Sequence, residues 1–169
     1  MTEVLHNASY IDGVPSDVAE RTEQVLQTTL DLTIDLSLTL KHVHWNVVGP
    51  HFIAIHTMLD PQVDAVREMT DDIAERIAAL GGAPDGRLHT VSSHITAEAY
   101  PFGRYHGIEH MRVLTSVYER VIEAHRNAVQ VLYGEPVTQD LLIGQLRLLE
   151  KFQWLVRAHA EQPDGHVGR

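Results

Sequence analysis

The chain alternates between long amphipathic segments and short breaks that contain glycine or proline. Apolar residues recur every three or four positions over residues 18–43, which predicts one long helix that Ser16 caps and that runs to about Trp45. Gly49-Pro50 ends this pattern, and a second helix is predicted from Phe52 or Ile53 to the Gly81-Gly82 pair. Pro61 lies inside the second segment and predicts a kink or a restart of the helix there.

Two further long segments have the same periodicity. One covers residues 108–132 and is broken by Gly134 and Pro136, and Thr138 is a predicted cap for the next. Residues 91–99 favour a short helix within the long connection between the second and third helices. The pattern therefore predicts an all-α four-helix bundle with one short extra helix in that connection. The predicted domain organisation is an arm over residues 1–15, the bundle domain over 16–161 and a short tail over 162–169.

Composition narrows the possible functions. The 169 residues include 13 Lys plus Arg against 23 Asp plus Glu, a formal net charge of −10, so nucleic acid is not the obvious partner. No cysteine is present, which excludes disulfides and thiolate metal sites and is compatible with a cytoplasmic protein. No segment predicts a membrane span, and the first fifteen residues do not resemble a signal peptide. The 12 histidines are unusually many.

The second helix has an unusual polar face. The offset from His56 to Asp60 returns to one side of a helix, as does that from Asp71 to Glu75, and both pairs fall on one stripe. The two pairs are roughly 16 Å apart along the axis, too far for one metal ion. A second copy of the helix laid antiparallel would bring the first pair against the partner's second pair, and His44 could add a nitrogen. We therefore predict a metal site shared between two subunits.

A solvated acidic face is the simpler interpretation of any single residue in this stripe. However, the six carboxylates from Asp60 to Glu75 have only Arg67 and, at the edge, Arg76 as nearby positive charges. Such crowding is unfavourable unless a cation occupies it. A mixture of imidazoles and carboxylates also suits redox-active iron better than a closed zinc site.

The motif K-H-V-H-W-N-V-V-G-P-H-F-I-A-I-H-T-M-L-D, followed by D-D-I-A-E-R-I-A-A-L-G-G, closely resembles the Dps family of ferritin-like proteins, the DNA-binding proteins from starved cells. The likeness continues in T-Q-D-L-L-I and L-E-K-F-Q-W-L-V-R and covers the chain from Val18 to about His159. The resemblance implies a ferritin-like four-helix bundle that assembles into a hollow homo-dodecamer built on two-fold dimers. It also implies a ferroxidase that oxidises Fe(II), with hydrogen peroxide as the generally preferred oxidant and O2 also used, and stores ferric mineral.

The resemblance also assigns ligands to the shared site. The family's ferroxidase centre takes ligands from one subunit at positions matching His44, His56 and Asp60, and from its partner at Asp71 and Glu75. These five residues are the predicted catalytic and iron-binding set.

Other residues have less certain assignments. Trp45 matches a tryptophan near the centre, with core packing as an equal alternative. Asp140 matches a position that lines iron-entry pores, to which Glu135 could add charge, although a helix-stabilising acid is an equal alternative. Asp64, Glu68 and Asp72 could nucleate mineral or form a solvated face, and the pair His106 and His110 could chelate a second metal.

The termini depart from the family pattern, because many members bind DNA through basic extensions. Here the arm before Ser16 has no Lys or Arg, and Arg169 is the only one beyond Arg157. We therefore do not expect DNA binding through the termini, since counterion release needs such charges. Two alternatives to a ferroxidase cage stay open: a nucleoid-compacting DNA-binding protein with secondary metal binding, and a structural bundle without metal chemistry.

Overall fold

The computed structural model describes residues 9–95 and 98–161. The bundle consists of four long helices: α1 (Ser16–Asn46), α2 (Phe52–Ala79), α4 (Gly107–Val131) and α5 (Pro136–Ala160). A short helix, α3 (Leu88–His94), lies in the connection between α2 and α4. The predicted all-α four-helix bundle with a short extra helix is confirmed.

The helices pack as two neighbouring pairs that meet along α1 and α4. α1 packs on α2, α4 packs on α5, and α1 also contacts α4 and α3. Directly after α1, strand β1 (Val47–Val48) pairs in parallel with β2 (Tyr105–His106), which precedes α4. Each strand has only two residues, too few for a visible alternation in the sequence. This pairing fixes the start of α4 against the end of α1.

The core side of α2 agrees with the hydrophobic pattern. Its predicted inward residues are all buried, while the carboxylates that follow Asp60 on the opposite face are exposed. Because one face is anchored in the core, the other is held outward at fixed helical spacing. The buried residues are Ile55, Leu59, Val63, Val66, Ile73, Ile77 and Leu80.

Two predicted helix caps are wrong. Ser16 is the first residue of α1, and Pro15 before it is the N-cap, without any side-chain capping bond. At α5, Glu135 is the N-cap, and its carboxylate accepts a 2.7 Å hydrogen bond from the Thr138 backbone N–H. The helix starts earlier than predicted because Pro136 occupies its first turn, where a missing N–H is harmless.

The short helix and the proline also differ from expectation. The predicted segment 91–99 forms a helix only as far as His94; α3 begins three residues earlier, at Leu88, and residues 96–97 lie outside the described residues. α2 continues through Pro61, so the helix does not restart there. The Thr57 carbonyl, which loses its helical partner to the proline, is on an exposed residue where water can bind it.

Two parts of the predicted domain organisation lie outside the described residues: the first eight residues of the arm and the tail over residues 162–169. Among the helices that are described, none combines the length and the apolar character that a membrane crossing requires.

Candidate metal centre

Three of the five predicted ligands lie together where α1 and α2 meet. His44 is in the last turn of α1, and His56 and Asp60 are one turn apart near the start of α2. One ligand atom from each of the three lies within 4.8 Å of the other two. The connection that places them turns at Gly49, whose φ of +94° is a conformation that glycine adopts without strain. The result is a group of two imidazoles and one carboxylate.

The imidazole of His56 is oriented by the backbone. Its Nδ1 donates a 3.0 Å hydrogen bond to the carbonyl oxygen of His44. Because that bond places the proton on Nδ1, Nε2 carries the lone pair that a metal ion needs. The two imidazole rings stack with centroids 3.7 Å apart, so the carbonyl contact and the stacking together fix the ring.

His44 has one ring nitrogen without a partner. The residue is 8% exposed, and its Nδ1 has no hydrogen-bond partner among the described residues. Its Nε2 lies 3.0 Å from Asp60 Oδ1. A buried polar atom without a partner is unfavourable, and a cation between imidazole and carboxylate would satisfy both. The residues present therefore fit a metal ion.

Asp60 shares one oxygen with a second cationic group. Lys41 Nζ is 2.8 Å from the same Oδ1 that faces His44. The hydrogen bond from Lys41, assisted by His44, holds the pKa of Asp60 below its ordinary value despite desolvation. The carboxylate is therefore ionised at neutral pH and ready to bind a cation.

The other two predicted ligands are not part of this group. Asp71 and Glu75 are exposed on the same face of α2, about three turns beyond Asp60. The described residues contain a single group of three or more potential metal ligands, formed by His44, His56 and Asp60. Within one chain, the described residues therefore bring together three of the five predicted ligands.

Several subsidiary expectations are changed by the structure. Trp45 is 71% exposed, so it does not pack in the core of its own subunit. Glu135 is buried and forms a 3.2 Å ion pair with Arg76, so it is not a free surface carboxylate. Asp140 is exposed.

His106 and His110 do not form a metal-binding pair with a third ligand among the described residues. His106 is exposed and forms a capping box with Glu109 at the start of α4. His110 is buried, and its Nδ1 is 2.9 Å from the hydroxyl of Tyr100. The two imidazoles have separate roles.

Sequence reasoning missed two features near the centre. Lys41 was visible as one of two lysines, and its position three residues before His44 places both on one side of α1. The Tyr100–His110 contact joins residues from a connection and a helix, and no local spacing could have indicated it.

Comparison with known proteins places this chain in a family. Residues 23–164 match the model of the ferritin-like domain. The DNA protection during starvation protein of Mycolicibacterium smegmatis is 46% identical over 92% of this chain and 84% of its own length.

Two further similarities cover nearly the whole chain. A solved Dps structure from Streptomyces coelicolor is 50% identical, with a TM-score of 0.91 over 98% of this chain and 99% of that one. The fine tangled pili major subunit of Haemophilus ducreyi is 41% identical over 99% of this chain and 90% of its own length. Similarity at this level extends beyond the fold to the sequence itself.

Proposed function

Because the chain belongs to the Dps family of ferritin-like proteins, we propose that it is a ferroxidase and iron-storage protein whose metal centre is completed by a second subunit. The observation that carries this proposal is the group of His44, His56 and Asp60, in which two imidazoles lie beside an ionised carboxylate. This combination of nitrogen and oxygen ligands suits redox-active iron.

Each residue of the group has a distinct task. Asp60 supplies a negative oxygen that attracts Fe(II), and His44 and His56 supply nitrogen ligands on its flanks. Carboxylate ligands stabilise Fe(III) more than Fe(II), so their presence favours loss of the electron. Lys41 contacts Asp60 Oδ1, so an iron ion that binds through this oxygen would compete with the ammonium group.

The partner subunit completes the centre with its own Asp71 and Glu75. Two copies of α2 packed antiparallel would place these carboxylates against the open side of the group, about 16 Å from the equivalent pair in the same chain. The proposed assembly is the hollow dodecamer built from such dimers, in which the exposed acidic face of α2 receives ferric mineral. Hydrogen peroxide is the proposed main oxidant.

The relatives named for DNA protection allow two routes to that protection: removal of iron and peroxide, or coating of DNA. The net charge of −10 and the arm without Lys or Arg favour the first. We propose that this chain protects DNA by removing iron and peroxide and not by coating the DNA. Retardation of plasmid DNA in a gel at physiological salt would favour coating instead.

The test is Fe(II) oxidation by peroxide in a variant with His44→Gly and His56→Gly. We expect the rate to fall at least about tenfold, since both nitrogen ligands are lost. The matched control is His89→Gln, which changes an exposed histidine of α3 outside the group. An unaltered rate in the double variant would show that oxidation occurs elsewhere.

A further inference from the structure

A second polar cluster lies across α1 from the metal centre. Tyr100, in the connection between α3 and β2, places its hydroxyl 2.9 Å from Nδ1 of His110. The two rings lie nearly parallel, with an interplanar angle of 11°. His110 is 1% exposed, and its ring also hydrogen-bonds the backbone of Asn46. Neither residue has a role in the proposed centre.

The shared proton lies on the phenol. Burial raises the pKa of Tyr100 and lowers the pKa of His110, so both groups are neutral at physiological pH. The Tyr100 hydroxyl is closer to Nδ1 than to the carbonyl of His110, at 3.4 Å. Nδ1 is therefore the acceptor of a phenolic hydrogen bond.

This arrangement favours loss of one electron and one proton together. A phenol that loses an electron becomes a very strong acid, and a base already in contact accepts the proton without any rearrangement. The resulting charge on His110 would be favoured by the Asn46 backbone and by Glu109, against burial and His42. Tyr100 is thus already positioned to donate an electron, with an acceptor for its proton in contact.

We propose that Tyr100 is a redox-active tyrosine that supplies an electron to the iron–peroxide reaction, with His110 as the acceptor of its proton. The inference rests on the proposed ferroxidase function. Each Fe(II) gives one electron, whereas hydrogen peroxide needs two to form water. One Fe(II), one peroxide, one tyrosine phenol in contact with neutral His110 and two protons from solvent give Fe(III), two waters, a neutral tyrosyl radical and protonated His110. A second Fe(II) then reduces the radical, and the phenol recovers its proton from His110.

A short route connects the pair with the centre. The ring of Tyr100 meets that of His42 edge to face, with centroids 5.6 Å apart. His42 precedes His44 by two residues, so their side chains leave α1 on nearly opposite sides. The electron therefore crosses two intervals: the 5.6 Å between the rings of Tyr100 and His42, and then roughly one helix diameter, about 10 Å. Electron tunnelling is effective over each of these intervals.

Two other tyrosines serve as controls, because they lack a basic acceptor. The hydroxyl of Tyr105 donates to the Phe102 carbonyl at 3.2 Å, although its ring contacts the same imidazole of His110. The hydroxyl of Tyr118 donates to the side-chain oxygen of Gln62 at 2.7 Å. Neither acceptor can hold a phenolic proton at physiological pH. Tyr105→Phe is the closer match, since it removes a hydroxyl beside the same histidine.

The experiment is freeze-quench electron paramagnetic resonance of the assembled protein, mixed with one Fe(II) per subunit and excess peroxide. We expect a tyrosyl signal that narrows in protein with ring-deuterated tyrosine. It should be lost in Tyr100→Phe, retained in Tyr105→Phe and at least several-fold weaker in His110→Gln, which removes the base but leaves the phenol. Persistence of the signal in Tyr100→Phe would overturn the proposal.

An iron-free arm separates this inference from the ferroxidase proposal. Hexachloroiridate(IV) removes single electrons without using the metal centre, and its consumption can be followed by absorbance. We expect Tyr100→Phe to lose the fastest phase of consumption and Tyr105→Phe to retain it. If the wild-type protein oxidises no Fe(II) but shows this phase, the ferroxidase proposal fails while Tyr100 remains an electron donor. Equal phases in both variants would contradict the inference whatever the iron result.

Discussion

At the scale of single residues, the candidate centre depends on competition for one oxygen atom. Asp60 Oδ1 is 2.8 Å from Lys41 Nζ and 3.0 Å from His44 Nε2. In the absence of metal, the ammonium group of Lys41 stabilises the negative charge of the Asp60 carboxylate and keeps it ionised. A metal ion that binds through this oxygen would compete with the ammonium group, so we expect Lys41 to lower the net affinity for metal.

Lys41→Met should therefore strengthen metal binding. The methionine keeps the apolar part of the side chain and removes the competing charge, so affinity for Co(II), an unreactive substitute for Fe(II), should rise about tenfold, or about 1.4 kcal/mol. Isothermal titration calorimetry measures this directly. The control is Lys151→Met, which replaces the only other lysine, an exposed residue of α5. This substitution should have no effect on metal affinity. A weaker affinity in Lys41→Met would mean that the ammonium group positions Asp60 instead of competing for it.

At the scale of secondary structure, helix existence was predictable and helix starts were not. The repeat of apolar residues is a property of many positions, so the burial of the α2 core side follows directly from the sequence. A cap depends on one or two contacts. Thr138 has the right chemistry for a cap, yet its hydroxyl accepts from Arg76 Nε, at 2.8 Å, and Glu135 caps the helix. Arg76 belongs to α2, and a tertiary contact of this kind has no local signature.

The Glu135 cap predicts a pH-dependent contribution to stability. Burial alone raises the pKa of Glu135, but hydrogen bonds from Thr138 and Arg76 outweigh it and lower the pKa below the ordinary 4.5. A carboxylate whose pKa is lowered by folding stabilises the protein above its unfolded pKa, and this contribution is lost as the pH falls through the folded value. Glu135→Gln should therefore lower the thermal midpoint at pH 7 by about 6 °C, equivalent to about 2 kcal/mol.

The difference between the two proteins should shrink as the pH falls through the lowered pKa of Glu135, because the wild-type carboxylate then also becomes neutral. Thermal melts followed by circular dichroism at several pH values measure this difference. Glu150→Gln is the matched control, because Glu150 pairs with Arg126 on the surface and screened pairs contribute little. A constant difference between Glu135→Gln and wild type over the whole pH range would show that geometry, and not charge, governs the cap.

At the scale of the whole molecule, the five predicted ligands divide into two sets. His44, His56 and Asp60 are together in one chain, and Asp71 and Glu75 are exposed some distance along α2. Helical rise predicted the separation of His56 and Asp60 from Asp71 and Glu75, because all four lie on one helix, whereas His44 comes from α1. The sequence could not place Lys41 on Asp60, since that contact depends on how α1 and α2 pack.

Subunit mixing tests whether a centre is shared. His56→Ala removes a ligand of the first set and Glu75→Ala one of the second, so each variant alone should have no intact centre. In a two-fold dimer with one His56→Ala subunit and one Glu75→Ala subunit, one centre contains both substituted residues. The other centre contains only unsubstituted ligands. Random reassembly of equal amounts should therefore restore about a quarter of the wild-type Fe(II) oxidation by peroxide.

The measurement is the oxidation rate before and after the two variants are dissociated, mixed and reassembled together. Each variant taken through the procedure alone should stay inactive, and wild-type protein should recover fully. A centre contained within one chain would carry a defect in every subunit of the mixture, so no activity would return. Recovery is thus possible only if neighbouring subunits contribute different ligands to the same iron.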